Sequence, residues 1–506
     1  MHLLKYLSFT RLPSLKSTQN VRYISLLKDK AYVNGKWVTA LDGNSFTVTN
    51  PADGSSVGTV PDMSKEDVKS AIDAASQAFR RWNKTTAKER GVILRKWHDG
   101  LMANQEDLAK LLTTEMGKPL AESLGEINYG ASFLQWFAEE GRRCYGQVIP
   151  TPLNGRRVLT IKQAVGVATF ITPWNFPNAM ITRKAGAALA AGCTVVIKPA
   201  EETPYSALAL CELAEQAGIP PGVFNVVTCS RENVDQVGKE LTMSSDVAAF
   251  SFTGSTAVGK QLLAQCASTV KKVGMELGGN APFIVFNSAD IDKAVSGLIN
   301  SKFRASGQTC VCANRILVQD KIHDEFVEKV AVAMTEQLRL GNGLETSVSQ
   351  GPLINTAAVA KVENQVKDAI SKGAQLVLGG KRSRLGECFF EPTLLTNVTS
   401  DMECASNETF GPMAPVFKFK TEEEALSIAN DCRHGLAGYF FSNDINQVWR
   451  VAEQLEVGMV GINDGIISGC ETPFGGYKES GLGREGSHNG LEEFVETKYL
   501  CFGGLE

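Results

Sequence analysis

A chain of 506 residues is too long for one hydrophobic core, so at least two domains are expected. With 43% hydrophobic residues, 21% charged residues and a net charge of −4, it carries no basic field for nucleic acid or an anionic membrane. No apolar run reaches the roughly 18 residues needed to span a bilayer. Twelve cysteines without paired spacing argue for a reducing compartment, and five histidines, none at ligand spacing, argue against a metal site.

Residues 1–28 hold Lys5, Arg11, Lys16, Arg22 and Lys28, no acid, and many serines, threonines and leucines. This composition predicts a mitochondrial transit peptide and a matrix location, with a disordered basic tail as the plainer alternative. From Ala31, A-Y-V-N-G-K-W-V predicts a hairpin turning at Asn34-Gly35. Ser64 with Asp67, and Thr86 with Glu89, are capping boxes that open two helices. Asn104 is expected to cap a third helix ending near Gly117 and Pro119. Asn154-Gly155, between extended segments, predicts a hairpin ribbon. Such a ribbon is marginal alone and reads as an arm reaching a partner subunit, with an internal hairpin as the plainer alternative.

From Val165 short apolar runs alternate with helical stretches, Asn178 to Ala191 and Ala207 to Ala217 among them. The alternation predicts an α/β fold with a parallel sheet that binds ligands at the carboxyl ends of its strands. Two such ends carry chemistry. Lys198-Pro199-Ala200-Glu201 follows T-V-V-I, and a lysine and a glutamate there can hold ribose hydroxyls and phosphate. Gly254-Ser255-Thr256-Ala257-Val258-Gly259 precedes a helix whose start can meet phosphate, although a plain strand-to-helix turn explains it equally well. Glu276, before a glycine pair and an apolar strand, is a candidate general base or a surface glutamate.

A second alternating region follows. It is introduced by F-R-A-S-G-Q-T-C-V-C-A-N-R, Phe303 to Arg315. Cys310 there is a candidate nucleophile, because a thiol near dipoles or charges forms thiolate more readily; the bland reading is a small core residue. Glu408-Thr409-Phe410-Gly411-Pro412 marks a loop with one acid and one ring, and Pro473 to Gly486 is too glycine-rich for a regular element. Phe494 to Phe502 reads as a terminal strand.

Taken together and in this order, W-N-F-P (Trp174 to Pro177), K-P-A-E, F-T-G-S, M-E-L-G-G, G-Q-T-C, E-T-F-G-P and P-F-G-G resemble the aldehyde dehydrogenase superfamily over essentially all of the chain after residue 28. C-V-C at the nucleophile, M-I-T-R-K after W-N-F-P and G-L-A-G-Y-F-F near Gly435 resemble its succinate-semialdehyde branch. The resemblance implies three parts. They are a Rossmann-like NAD-binding domain (29–147 and 167–277), an α/β catalytic domain (278–486) and a β oligomerisation arm (148–166 and 487–506) of a homotetramer. It implies Cys310 as nucleophile, Glu276 as base and Asn175 as oxyanion donor. The cofactor NAD would lie against Trp174, Lys198, Pro199, Ala200, Glu201, residues 254–259, Glu408 and Phe410. Arg183, Arg304 and Ser468 would grip the carboxylate of an acidic aldehyde, an arginine fork being suited to that group. The implied reaction oxidises succinate semialdehyde to succinate, a step of GABA degradation, through a cysteine thiohemiacetal and thioester; glutarate or methylmalonate semialdehyde is the alternative substrate. Glu201 would repel a 2′-phosphate and so favour NAD over NADP. Cys312 is implied to form a reversible disulfide with Cys310, against the plainer reading of a small packed residue. Ala305-Ser306 replace an Asn-Thr pair common in the family, and Gly469-Cys470 vary the loop after Ser468.

Overall fold

The computed structural model describes residues 26–505, so most of the 1–28 segment lies outside the described residues. Leu26 is already packed in the core and Lys28 pairs with Glu212 at 2.8 Å.

Two twisted sheets form the body. The first has eight strands, ordered Lys36–Val38, Ala31–Val33, Phe224–Val226, Thr194–Lys198, Val167–Ile171, Val247–Thr253, Lys272–Glu276 and Gly481–Leu482. Its centre is parallel, with antiparallel strands at both margins. The expected Asn34-Gly35 hairpin is present, with φ of 53° and 71°. Ile171 lies opposite Lys198 and Phe252, and Thr253 opposite Glu276, so four strands deliver their following loops to one edge. The second sheet has seven strands, ordered Gln375–Leu378, Thr393–Thr396, Met413–Phe419, Ala313–Gln319, Ala281–Val285, Ala437–Phe441 and Met459–Ile462. Only four residues separate Glu276 from Ala281, so the first sheet's carboxyl edge faces the start of the second.

Helices cover both sheets. Both capping boxes form, on Lys65–Trp82 and Ala87–Ala103. Asn104 departs from expectation: its amide bonds back to the Gly100 carbonyl at 2.8 Å instead of capping Gln105–Met116, which does end at left-handed Gly117. The longest helix, Leu120–Glu140, has no counterpart in the sequence reading. It packs on Ala87–Ala103, Gln105–Met116 and Ala179–Ala191, and its first turns reach the cleft between the sheets.

A separate three-stranded sheet pairs Val495–Gly503 with Arg156–Ala164 along nine residues and adds Val148–Ile149. Residues 150–155 make a wider turn than a two-residue Asn-Gly hairpin. Val148, Tyr499 and Phe502 lie exposed on this ribbon. Among the described residues no helix is long and apolar enough to cross a membrane, and no cluster of three metal-ligating side chains occurs.

Candidate active site

Asn175 is held from below before any ligand arrives. Lys118, fully buried, donates to the Asn175 carbonyl at 2.7 Å and pairs with buried Glu126 at 2.6 Å. Glu126 in turn accepts the Asn178 N–H at 2.9 Å, which satisfies an amide at the buried start of the helix Ala179–Ala191. The Asn175 amide nitrogen donates to the Gln308 carbonyl at 3.0 Å, tying it to the segment that carries Cys310.

Cys310 precedes the strand Ala313–Gln319, and Ala305, Ser306 and Gly307 before it all have left-handed backbone. Gly279 packs so closely on Cys310 that a Cβ there would overlap the Cys310 carbonyl oxygen. Burial pushes the Cys310 thiol up to about 12, with Glu408 and Glu276 adding to the rise and Arg183 opposing it. Glu276 ends the strand Lys272–Glu276, and both its carboxyl oxygens are buried without a hydrogen-bond partner among the described residues. Burial, then the neighbouring Glu485, raises its pKa well above the usual carboxylate range.

Arg183, Arg304, Ser468 and Cys310 line one cavity of about 290 Å3, with Phe176 and Phe474 as walls. The cations are not free. Arg183 stacks on Phe474 at 4.2 Å and is ion-paired with Glu485, whose other oxygen takes Lys184. Arg183 keeps one terminal nitrogen without a hydrogen-bond partner among the described residues. Arg304 lies over Phe176 at 5.6 Å, with Lys118 at 3.8 Å from the same ring. Glu485 thus already balances the charge of Arg183.

At the first sheet's edge buried Lys198 pairs with Glu201 at 3.1 Å, and exposed Arg231 lies 3.5 Å from the other Glu201 oxygen. Burial works to raise the Glu201 pKa, but Lys198 and Arg231 outweigh it and lower it overall. Pro199 and Ala200 are buried beside them. Ser255 caps the helix Thr256–Cys266 by accepting the Val258 N–H, and Ala257 and Val258 are exposed on its first turn. The glycines flanking this turn also answer to packing: a Cβ on Gly254 would meet the Phe252 ring, and one on Gly259 the Leu277 side chain. Thr256 contacts His434 at 3.2 Å and accepts the Gly278 N–H at 3.2 Å. Glu408 accepts the Gly279 N–H at 3.1 Å, and burial raises its carboxyl to about 7. Phe410 stands edge-on to Trp174 at 5.6 Å. Lys118, Glu122, Glu126, Lys184 and Glu485 escaped the sequence reading; the one local signal was Arg183-Lys184 inside the otherwise apolar A-M-I-T-R-K-A-G-A-A-L-A-A.

The family model for the aldehyde dehydrogenase family matches residues 37–500. The chain belongs to the aldehyde dehydrogenase family. It is 59% identical over 481 residues to the mitochondrial succinate-semialdehyde dehydrogenase of Homo sapiens, covering 95% of this chain and 90% of that one. It is 57% identical to the glutarate-semialdehyde dehydrogenase of Pseudomonas aeruginosa, covering 95% and 99%. Solved structures agree in fold. The succinate-semialdehyde dehydrogenase of Burkholderia pseudomallei has TM-score 0.93 at 55% identity, covering 95% and 98%. An E. coli NADP-dependent enzyme has TM-score 0.93 at 55% identity, covering 94% and 98%. Betaine aldehyde dehydrogenase of Staphylococcus aureus in complex with NAD+ has TM-score 0.93 at 36% identity, covering 96% and 97%. Within this aldehyde dehydrogenase, the α/β architecture is that expected from sequence.

Proposed function

We propose that the chain is an NAD-dependent succinate-semialdehyde dehydrogenase. The observation that carries this reading is the shared cavity: a thiol at Cys310 and two arginines, Arg183 and Arg304, around a space sized for a short acidic aldehyde. The 57% identical glutarate-semialdehyde relative keeps a one-carbon-longer acid as the second reading.

The residues present fit NAD. A carboxylate with a neighbouring ammonium, Glu201 with Lys198, can accept ribose hydroxyls and face phosphate at the carboxyl edge of a parallel sheet. Glu408 spends one oxygen on Gly279 and keeps the other for a second ribose, with Phe410 and Trp174 as a wall. Bound NAD+ supplies the hydride acceptor.

The chain's own groups do the rest. Cys310 gives up its thiol proton to solvent as its sulfur adds to the aldehyde carbon, and the Asn175 amide hydrogen not engaged with Gln308, with the Cys310 N–H, meets the developing oxyanion. Loss of hydride turns the thiohemiacetal into a thioester. Glu276 takes a proton from water, which attacks the thioester and releases succinate and the Cys310 thiol. Arg183, through its unpartnered nitrogen, Arg304 and Ser468 hold the remote carboxylate and fix the aldehyde end near the sulfur.

The same reading includes a mitochondrial matrix location, supported by the mitochondrial relative and by the basic, acid-free residues 1–28, and a homotetramer joined through the exposed ribbon. It also includes a redox switch. Hydrogen peroxide removes two electrons and two protons from Cys310 and Cys312, forming a disulfide and two waters. Cys312 is buried, with its sulfur 2.7 Å from the Thr309 hydroxyl, so closure requires the loop to shift. Peroxide then dithiothreitol tests it: equal loss and recovery in Cys312→Ala and wild type overturns the switch.

NADH formation across a panel of acidic and uncharged aldehydes tests the substrate. Highest kcat/KM on succinate semialdehyde is expected; higher values on the five-carbon acid or on uncharged aldehydes overturn the assignment.

A further inference from the structure

Glu122 stands in the first turn of Leu120–Glu140 and lines the same cavity as Arg304 and Cys310. A carboxylate in a pocket for an anionic substrate works against binding, so its presence calls for another task. Its bonding shows one. Glu122 Oε2 accepts the Ala305 N–H at 2.8 Å, joining segments 183 residues apart. Ala305 and Ser306 have φ of 50° and 55°, followed by Gly307 at 75°. Left-handed backbone at residues bearing a Cβ is strained and persists only where the surroundings hold it. Ser306 is held by its hydroxyl on the Gly351 carbonyl at 2.8 Å, and the Ala305 carbonyl by the Gln308 amide at 3.1 Å. The Ala305 N–H is held by Glu122. The turn lies between Arg304 and Cys310, so its shape sets how the guanidinium and the thiol face each other.

We propose that Glu122 is a positioning residue: its carboxylate fastens the left-handed turn at 305–307 so that Arg304 and Cys310 address one cavity. Burial raises the Glu122 pKa, and Lys118, the Ala305 N–H itself and Arg304 oppose that rise. The substrate arm of the test rests on the acidic-aldehyde reading; the thiol arm does not.

The full-length protein is compared with Glu122→Gln, which keeps an oxygen for the Ala305 N–H, and Glu122→Ala, which removes it. The readouts are the rate of Cys310 alkylation by iodoacetamide, followed on its peptide, and kcat and KM for succinate semialdehyde and propanal. Glu122→Ala is expected to slow alkylation and kcat on both aldehydes about tenfold, with KM rising further for the acid alone. Glu122→Gln stays within about threefold of wild type. Adding Ala305→Gly to Glu122→Ala recovers about half of the lost rate on a logarithmic scale, because glycine adopts φ of 50° without strain. Wild-type rates in Glu122→Ala, equal damage from Gln and Ala, or no recovery with glycine each overturn the proposal. Should Glu122→Ala not fold, Glu122→Asp, one methylene shorter, takes its place with the same expected loss and rescue. If wild type forms no NADH from succinate semialdehyde, the substrate assignment falls while the alkylation arm still decides the role of Glu122.

Discussion

Glu485 is ion-paired with Arg183 behind the substrate cavity, and both side chains are almost wholly withdrawn from solvent. Lys184 shares the same carboxylate and also donates to the Ser251 hydroxyl at 2.9 Å. Removing one member of a buried ion cluster costs more than forming the cluster gains, because the partners stay desolvated. Glu485→Gln strands two cations, whereas Arg183→Ala leaves the Lys184–Glu485 pair intact. Glu485→Gln should therefore lose about 3–5 kcal/mol of stability, read from the urea midpoint. Arg183→Ala should lose less stability but about 30-fold in kcat/KM on succinate semialdehyde, ~2 kcal/mol of transition-state binding, with propanal less affected. Equal loss on both aldehydes would make Arg183 a structural residue.

Glu276 predicts the pH dependence. Burial, then Glu485, raises its pKa well above the ordinary value, despite opposition from Arg183 and Lys184. A general base works deprotonated, so thioester hydrolysis should increase as pH rises through that elevated pKa, not through the usual carboxylate range. Burial likewise raises the Cys310 thiol to about 12, so the acylation limb also points alkaline. Rapid-mixing measurements separate the two limbs. Glu276→Gln should release about one NADH per site and then stall, with the steady-state alkaline limb lost. Unimpaired steady-state turnover in that variant would remove Glu276 from the hydrolytic step.

What sequence could reveal divides along chain separation. Lys198 to Glu201 and Gly254 to Gly259 follow strands directly, so an apolar run plus its next few residues identifies them. The fold class was legible for the same reason. The Lys184–Glu485 pair spans 301 residues and leaves no local mark. The helix Leu120–Glu140 was hidden by its edges and its stripe. It begins after Pro119 without a capping side chain, and its buried face, including Ile127, Ala131, Phe133, Leu134, Phe137 and Ala138, is too broad for a clean amphipathic period. Missing that helix meant missing Glu122 and Glu126, and with them the support under Asn175 and the 305–307 turn. Asn104 misled because a helix-flanking asparagine can bond backward as readily as forward.

The pairing around Glu201 bears on coenzyme choice. Glu201 is held between Lys198 and Arg231; with the ribose placed at Glu201 as proposed, a 2′-phosphate would meet two cations kept occupied by one carboxylate. Glu201→Gln removes the repelling charge and frees both cations. The ratio of kcat/KM with NADP+ to that with NAD+ should rise about tenfold or more, and Arg231→Ala in that background should return most of the gain. A ratio unmoved by Glu201→Gln would assign discrimination elsewhere.

Gly279 packs against the backbone of Cys310. Its N–H goes to Glu408 at 3.1 Å, and any Cβ at this position would overlap the Cys310 carbonyl oxygen, with Leu436 3.5 Å away on the other side. The overlapping atom is backbone, not the free end of a flexible side chain, so the added methyl presses on the backbone that carries the thiol. Gly279→Ala should cost about 1–3 kcal/mol of stability, the usual range for overpacking. A displacement approaching 1 Å at the sulfur should lower kcat by about 100-fold, beyond what the loss of stability explains. Circular dichroism melts and iodoacetamide labelling of Cys310 separate the effects: a folded variant with slow labelling places the damage at the nucleophile. Labelling and turnover at wild-type rates would mean that the contact yields by moving Leu436 and the Glu408 loop instead of Cys310.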